Sequence, residues 1–198
     1  KINNKDYTAT LTDSKATFTV SGLAAGKYDV KVNYAGNDMF NSAQKTAIVN
    51  VNKVDVNVTI SADDIRYGKD LTVSVEVSNG AEGTVTLFIE NGNNTSYYKK
   101  NFTATLTDSK AVFTVSDLNA GEYLLSVNYA GNDKFNSAQS SIYAGVYKAY
   151  VNMTLETRDM GDDLVVSVGI SSGATGNVTL SIDNIGYTKT INYPDETY

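Results

Sequence analysis

The chain has 198 residues, 41% of them hydrophobic, and a formal net charge of -6, which suits one large domain or two small ones. Cysteine, histidine and tryptophan are all absent, which removes disulfides, thiolate nucleophiles, the commonest general base and the commonest zinc ligand. The charge has the wrong sign for a phosphate-backbone partner, so no nucleic acid is expected, and no apolar run approaches the roughly 20 residues that span a bilayer, so no membrane insertion is expected of this segment.

The opening Lys1-Ile2-Asn3-Asn4-Lys5 contains no apolar region of the signal-peptide kind, so for an exported protein this stretch reads as mature or internal. Thr12-Asp13-Ser14-Lys15 is a polar tight turn. Beyond it Tyr28, Val30, Val32 and Tyr34 alternate with Lys27, Asp29, Lys31 and Asn33, a period of two that predicts a strand with one dry and one wet face. The same alternation recurs through the middle of the chain and predicts seven strands: 54–60, 71–78, 84–90, 97–104, 111–115, 122–129 and 140–147. Their inward sets include Val54, Val56, Val58 and Ile60; Leu71, Val73, Val75 and Val77; Val85, Leu87 and Ile89; Ala111, Phe113 and Val115; and Tyr123, Leu125, Val127 and Tyr129. Asn79-Gly80 and Asn91-Gly92 read as hairpin-type turns, and Thr107-Asp108-Ser109-Lys110 repeats the earlier tight turn. No segment shows a capped amphipathic helix. Short strands with frequent turns over about 100 residues predict antiparallel β-sandwiches and an all-β fold.

The chain repeats itself. Thr8–Gln44 and Thr103–Gln139 align without a gap at an offset of 95, with 29 of 37 positions identical. Val56–Ile60 matches Val151–Leu155 at the same offset, and Leu71–Ile89 matches Leu164–Ile182 at 93, so two residues are lost between these blocks. Residues 53–147 therefore form one complete repeat, 1–52 the C-terminal half of a repeat, and 148–198 the N-terminal half of another. The two halves are complementary. One reading is a window on a longer tandem array. The other is that the C-terminal half of one chain completes the N-terminal half of the next, a heterologous contact that builds open filaments.

Leu118-Asn119-Ala120-Gly121-Glu122-Tyr123 and Leu23-Ala24-Ala25-Gly26-Lys27-Tyr28 place a tyrosine after a glycine-containing corner at the start of the sixth strand, where a structural tyrosine corner belongs; Tyr28 and Tyr123 serve equally as ordinary core tyrosines, and both readings stand. Together with Arg66-Tyr67-Gly68-Lys69-Asp70, Gly83-Thr84-Val85-Thr86-Leu87 and Asn128-Tyr129-Ala130-Gly131-Asn132-Asp133-Lys134-Phe135-Asn136-Ser137, these stretches resemble the bacterial Ig-like repeats that occur in tandem in adhesin-like surface proteins, including those of methanogenic archaea. The last stretch is similar to the family's aromatic–x–Gly–Asp–x–x–aromatic pattern, with an Asn before the Asp, and in 148–198 Met160-Gly161 replaces the Tyr-Gly pair. The resemblance implies tandem immunoglobulin-like sandwiches in an extracellular, cell-surface stalk, fibre or adhesin, and no catalytic activity.

The residues themselves offer no catalytic, cofactor or metal site that stands out. Asp63-Asp64 and Asp162-Asp163 are adjacent carboxylates, which point apart on an extended chain and make a poor acid/base pair. Asp63, Asp64, Asp70, Asn132 and Asp133 are oxygen ligands of the type calcium uses, but without EF-hand spacing, so turn formation and solvation are the preferred account of them. Glycosylation sequons begin at Asn57, Asn93, Asn94, Asn101, Asn152 and Asn177, and an Asn- and Thr-rich chain also makes sequons by composition. A Lys–Asn isopeptide bond at Lys53 or Lys148 is disfavoured, since Asn50 has Gly145 as its repeat partner. Tyr97-Tyr98 is the exposed aromatic pair expected of a sugar platform. The function expected is a structural repeat segment that partners other copies of itself or adjacent repeats end to end. The alternative is an adhesion module for surface glycans or proteins.

Overall fold

The computed structural model describes residues 6–91, 98–171, 173–183 and 185–191. The described residues contain strands and turns and no helix. They fall into two compact units, Lys1–Tyr147 and Lys148–Tyr198.

The first unit contains a complete sandwich. Its strands are β3 (Val58–Ala62), β4 (Ile65–Arg66), β5 (Leu71–Val77), β6 (Thr84–Asn91), β7 (Tyr98–Thr105), β8 (Lys110–Val115), β9 (Gly121–Tyr129) and β10 (Ala138–Tyr147). One sheet has the order β3-β5-β8 and the other β4-β10-β9-β6-β7. The inner faces are the apolar phases of the alternation: Leu71, Val73, Val75 and Val77 from one sheet meet Val85, Leu87, Ile89, Leu125 and Val127 from the other, all essentially inaccessible to water. Burying each such side chain contributes about 1.5–3 kcal/mol. Val112 is exposed between Ala111 and Phe113, as period two requires.

Three expectations need correction. The predicted strand 54–60 is divided: Val54, expected on the inward face, is exposed because it makes only an isolated parallel bridge to Phe135, and the ladder with β5 begins at Val58. The chain then crosses to the other sheet, where β4 pairs in parallel with Val146 and Tyr147 of β10. This gives eight elements instead of seven, because the alternation is blind to a strand that changes sheet. Asn79-Gly80, with both residues at positive φ, does not close a hairpin: β5 and β6 lie in different sheets. The pair turns the chain from one layer to the other, held by Asn79 Nδ2, which donates to the Asp55 carbonyl at 2.9 Å. Asn91, by contrast, does end one arm of a true hairpin, opposite Tyr98.

The same unit begins with half a repeat. β1 (Gly26–Tyr34) and β2 (Ala43–Val51) form a two-stranded sheet, the counterpart of β9 and β10. Residues 15–20, the counterpart of β8, join no ladder, although Ala16-Thr17-Phe18-Thr19-Val20 and Ala111-Val112-Phe113-Thr114-Val115 differ at one position. The sequence has full strand propensity; what it lacks is the partner that β5 supplies to β8. Both copies nevertheless form the tight turn, Thr12 with Lys15 and Thr107 with Lys110, with Asp and Ser at positive φ between them. The Ala25 N–H donates to the Asp133 carbonyl at 2.8 Å, tying this half to the sandwich.

The second unit is the other half. β11 (Met153–Asp159) pairs with β12 (Leu164–Ile170), as β3 does with β5, and β13 (Gly176–Ile182) pairs with β14 (Ile185–Ile191), as β6 does with β7. No counterpart of β8, β9 or β10 belongs to this unit among the described residues.

Candidate functional site

The repeat lets each side chain be compared with its own counterpart in a finished sandwich. Leu71 is 0% exposed and Leu164 is 55%; Val127 is 1% and Val32 is 49%; Phe113 is 6% and Phe18 is 42%. Met153, Leu155, Leu11 and Phe40 are likewise open where Val58, Ile60, Leu106 and Phe135 are covered. Both halves thus present to water residues whose counterparts the sandwich hides. In the N-terminal half Phe18 and Val32 help to line a groove of about 300 Å³, together with Tyr7, Val20 and Val30 and the polar Asp6, Thr8, Lys31 and Asn33. Among the described residues β1 pairs only with β2 and β12 only with β11, whereas β9 and β5 each pair on a second side, with β6 and β8.

The predicted corner tyrosines have local partners. Tyr123 Oη–H donates to the Asn119 carbonyl at 2.9 Å, and Tyr28 Oη–H to the Ala24 carbonyl at 2.8 Å, each four residues back. The Tyr123 ring is buried and meets Tyr98 edge to face, with centroids 5.7 Å apart. Tyr98 therefore does not offer the open aromatic face expected of it: it is half-buried, with the Lys100 ammonium 5.1 Å from its ring centroid. The hydrophobic contact with Tyr123 outweighs exposure at the strand start. Tyr97 lies outside the described residues.

The loop between β9 and β10 is organised by Asn132, not by the acid after it. Asn132 Oδ1 accepts from the N–H groups of Lys134 and Phe135 at 2.8 and 3.0 Å, and its Nδ2 donates to the Glu82 carbonyl at 2.9 Å. Tyr129 Oη–H donates to the same carbonyl at 2.8 Å. Burial, and then the charge of Glu82, push the Tyr129 phenol above its ordinary value. Asn37 repeats the arrangement with Met39 and Phe40, each at 2.9 Å. Asn132 thus occupies the position of the Asp in the aromatic–x–Gly–Asp pattern, where an amide adds a donor that a carboxylate lacks.

Of the acids weighed as calcium ligands, Asp64 is committed elsewhere. Its Oδ1 accepts from the Gly145 N–H at 2.7 Å and its Oδ2 from Tyr147 Oη–H at 3.0 Å. That hydrogen bond and the charge of Asp64 raise the Tyr147 phenol above its ordinary value. Among the described residues no three acidic side chains gather as a cation site. Asn57, Asn101 and Asn152 have exposed side chains on strands or strand approaches, and Asn177 is exposed while its Oδ1 accepts from Thr190 Oγ1 at 2.7 Å. Asn93 and Asn94 lie outside the described residues.

No curated protein matches the chain. Among solved structures, a chain of a 1.5-MDa bacterial ice-binding adhesin, described in a work on its retention at the host cell surface, is similar at 17% identity and a TM-score of 0.34, over 84% of this chain and 60% of that one. The present chain therefore spans less than two thirds of that relative. The bacterial Ig-like domain (group 3) matches residues 58–146, which run from the first residue of β3 to the penultimate residue of β10, so the complete unit is an Ig-like β-sandwich with a counterpart in that family.

Proposed function

We propose that the chain is a structural repeat segment of an extracellular surface fibre, stalk or adhesin, and that it joins copies of itself head to tail. The C-terminal half of one copy completes the N-terminal half of the next. The carrying observation is that counterparts of the buried core stand open in both halves. Carrying over the register of β6 on β9 sets Val178 opposite Tyr34, Leu180 opposite Val32 and Ile182 opposite Val30. The register of β5 on β8 likewise sets Leu164 opposite Val20 and Val166 opposite Phe18. The residues required are already present in one sequence, and a heterologous contact that does not close propagates as a filament. Rigid sandwiches linked in this way provide reach and mechanical support.

Sedimentation and electron microscopy of the pure 198-residue chain test the joining. Species that lengthen with concentration are expected. A single monomeric species at every concentration would leave the halves unjoined and overturn the head-to-tail reading.

The outward asparagines fit a surface role as glycan carriers. Peptide mass analysis of protein from its native source is expected to find modification at Asn57 and Asn152, which occupy equivalent positions. Unmodified peptides at all six sequons would end that assignment.

A further inference from the structure

The repeats depart from one another on both sides of a single contact. In the complete sandwich the chain leaves β5 after Ala62 and crosses to β10, where Ile65 and Arg66 pair with Val146 and Tyr147. Tyr67 N–H extends the pairing by donating to the Tyr147 carbonyl at 2.7 Å. Asp64 stands at the crossing and holds Gly145 and Tyr147 through both of its oxygens. The Arg66 guanidinium lies 6.0 Å from the Tyr147 ring centroid. Glycine at 145 keeps room for the carboxylate, since a Cβ there would stand 3.3 Å from Asp64 Oδ1.

The C-terminal half lacks the crossing. Its loop is two residues shorter, and with Asp159 set against Asp64 and Met160-Gly161 against Tyr67-Gly68 the missing positions are those of Ile65 and Arg66. β11 accordingly stays on β12 through to the pair Asp159–Leu164, where β3 has already left β5. Asp159, the counterpart of Asp64, turns into its own loop and accepts from the Gly161 N–H at 2.9 Å. The N-terminal half lacks the receiving side: Asn50 and Asn52 replace Gly145 and Tyr147.

We infer that these paired departures key the two terminal halves to each other, so that residues 1–52 of one copy accept the 148–198 half of another copy and reject a half of the 53–97 type. The inference rests on the head-to-tail reading. An Asp64-type carboxylate meeting Asn50 would find a side chain where it needs a bare backbone N–H. It would also find no hydroxyl at position 52, and Arg66 would find no ring. Such mismatches are repulsive elements that set specificity between near-identical partners. With Asp159 bound within its own loop, the 148–198 half brings no carboxylate to that place. The polar Asn50 and Asn52 then face a strand edge that no crossing segment covers, where polar side chains protect against misplaced pairing.

A coupled pair of changes in the full chain tests this. The first inserts Ile-Arg between Asp159 and Met160, giving the C-terminal half a crossing. The second is the double substitution Asn50→Gly with Asn52→Tyr, giving the N-terminal half a receiving side. The readout is the self-association constant from sedimentation equilibrium, with thermal unfolding of the unaltered sandwich as the control for folding. The insertion alone is expected to weaken association about tenfold, and the combined variant to recover to within about threefold of the parent, the non-additivity that a direct contact produces. Additive effects without recovery would overturn the keying while leaving head-to-tail joining intact. A parent chain that does not associate would overturn both.

Discussion

Leu71→Ala is expected to destabilise the complete sandwich by about 2–5 kcal/mol, while the equivalent Leu164→Ala changes the stability of the unassociated chain by less than about 0.5 kcal/mol. The two leucines occupy the same place in the repeat and begin equivalent strands. Leu71 has the β9–β6 sheet above it and no solvent contact, so truncation loses the transfer free energy of three carbons and leaves a cavity in a close-packed layer. Leu164 already faces water over half of its surface, so little burial is lost. Denaturant unfolding followed by far-UV circular dichroism and tyrosine emission measures both, since the chain has 14 tyrosines and no tryptophan. In associated samples the head-to-tail reading raises the cost of Leu164→Ala toward that of Leu71→Ala. Equal and small costs at both positions in dilute solution would mean that the two sheets do not enclose a core.

The second large effect is expected at Gly131. Its φ is +78°, in the left-handed region, and a Cβ there would lie 2.7 Å from the Phe135 carbonyl oxygen and 2.8 Å from the Ser137 nitrogen. Gly131→Ala therefore combines a conformational penalty of about 1–3 kcal/mol with an overlap against backbone that no side-chain rotation relieves. The loop positions Asn132 over Glu82 and Phe135 in the core. The melting temperature of the sandwich should fall by several degrees, at roughly 4–8 °C per kcal/mol for a domain of this size. Gly36 has the same geometry, with φ +84° and a Cβ contact of 2.7 Å to the Phe40 carbonyl oxygen. Phe40 is exposed, however, so Gly36→Ala should disturb its own loop and leave the cooperative melt of the sandwich unchanged. A melt of the Gly131→Ala variant indistinguishable from the parent would show that the loop accommodates a side chain and that its turn is not required.

Much of this architecture was legible because period-two alternation reports directly on a dry and a wet face. The buried sets on β5, β6, β8 and β9 were readable residue by residue. What alternation does not carry is the identity of the neighbour. Asn79-Gly80 has the composition of a hairpin turn, and its positive φ values fit that chemistry, yet the strand beyond it enters the other sheet. Ile65-Arg66 is too short for any periodicity, and its pairing depends on β10, some eighty residues later. Residues 15–20 show the converse: a sequence with every local mark of a strand remains outside a ladder when its partner is elsewhere. At the candidate site, the complementary halves were visible in the phase of the repeat. The Asp64 contacts were not, because nothing local distinguishes a turn carboxylate from one that reaches a strand 81 residues away.

Each end of the complete sandwich is tied to a neighbouring segment that runs the same way. Val54 pairs in parallel with Phe135, and β4 with the last two residues of β10. When such a unit is stretched from residue 53 at one end and residue 147 at the other, the pull runs along these ladders and not across them. The hydrogen bonds must then slip together instead of parting one by one, so the unit resists tension at the very strands through which tension enters. A composite unit of the proposed head-to-tail kind would have, among the described residues, no counterpart of β4 to share that load. Under strain a thread of such copies would give way at the joints while its finished units stayed folded, and the broken ends would be free to rejoin.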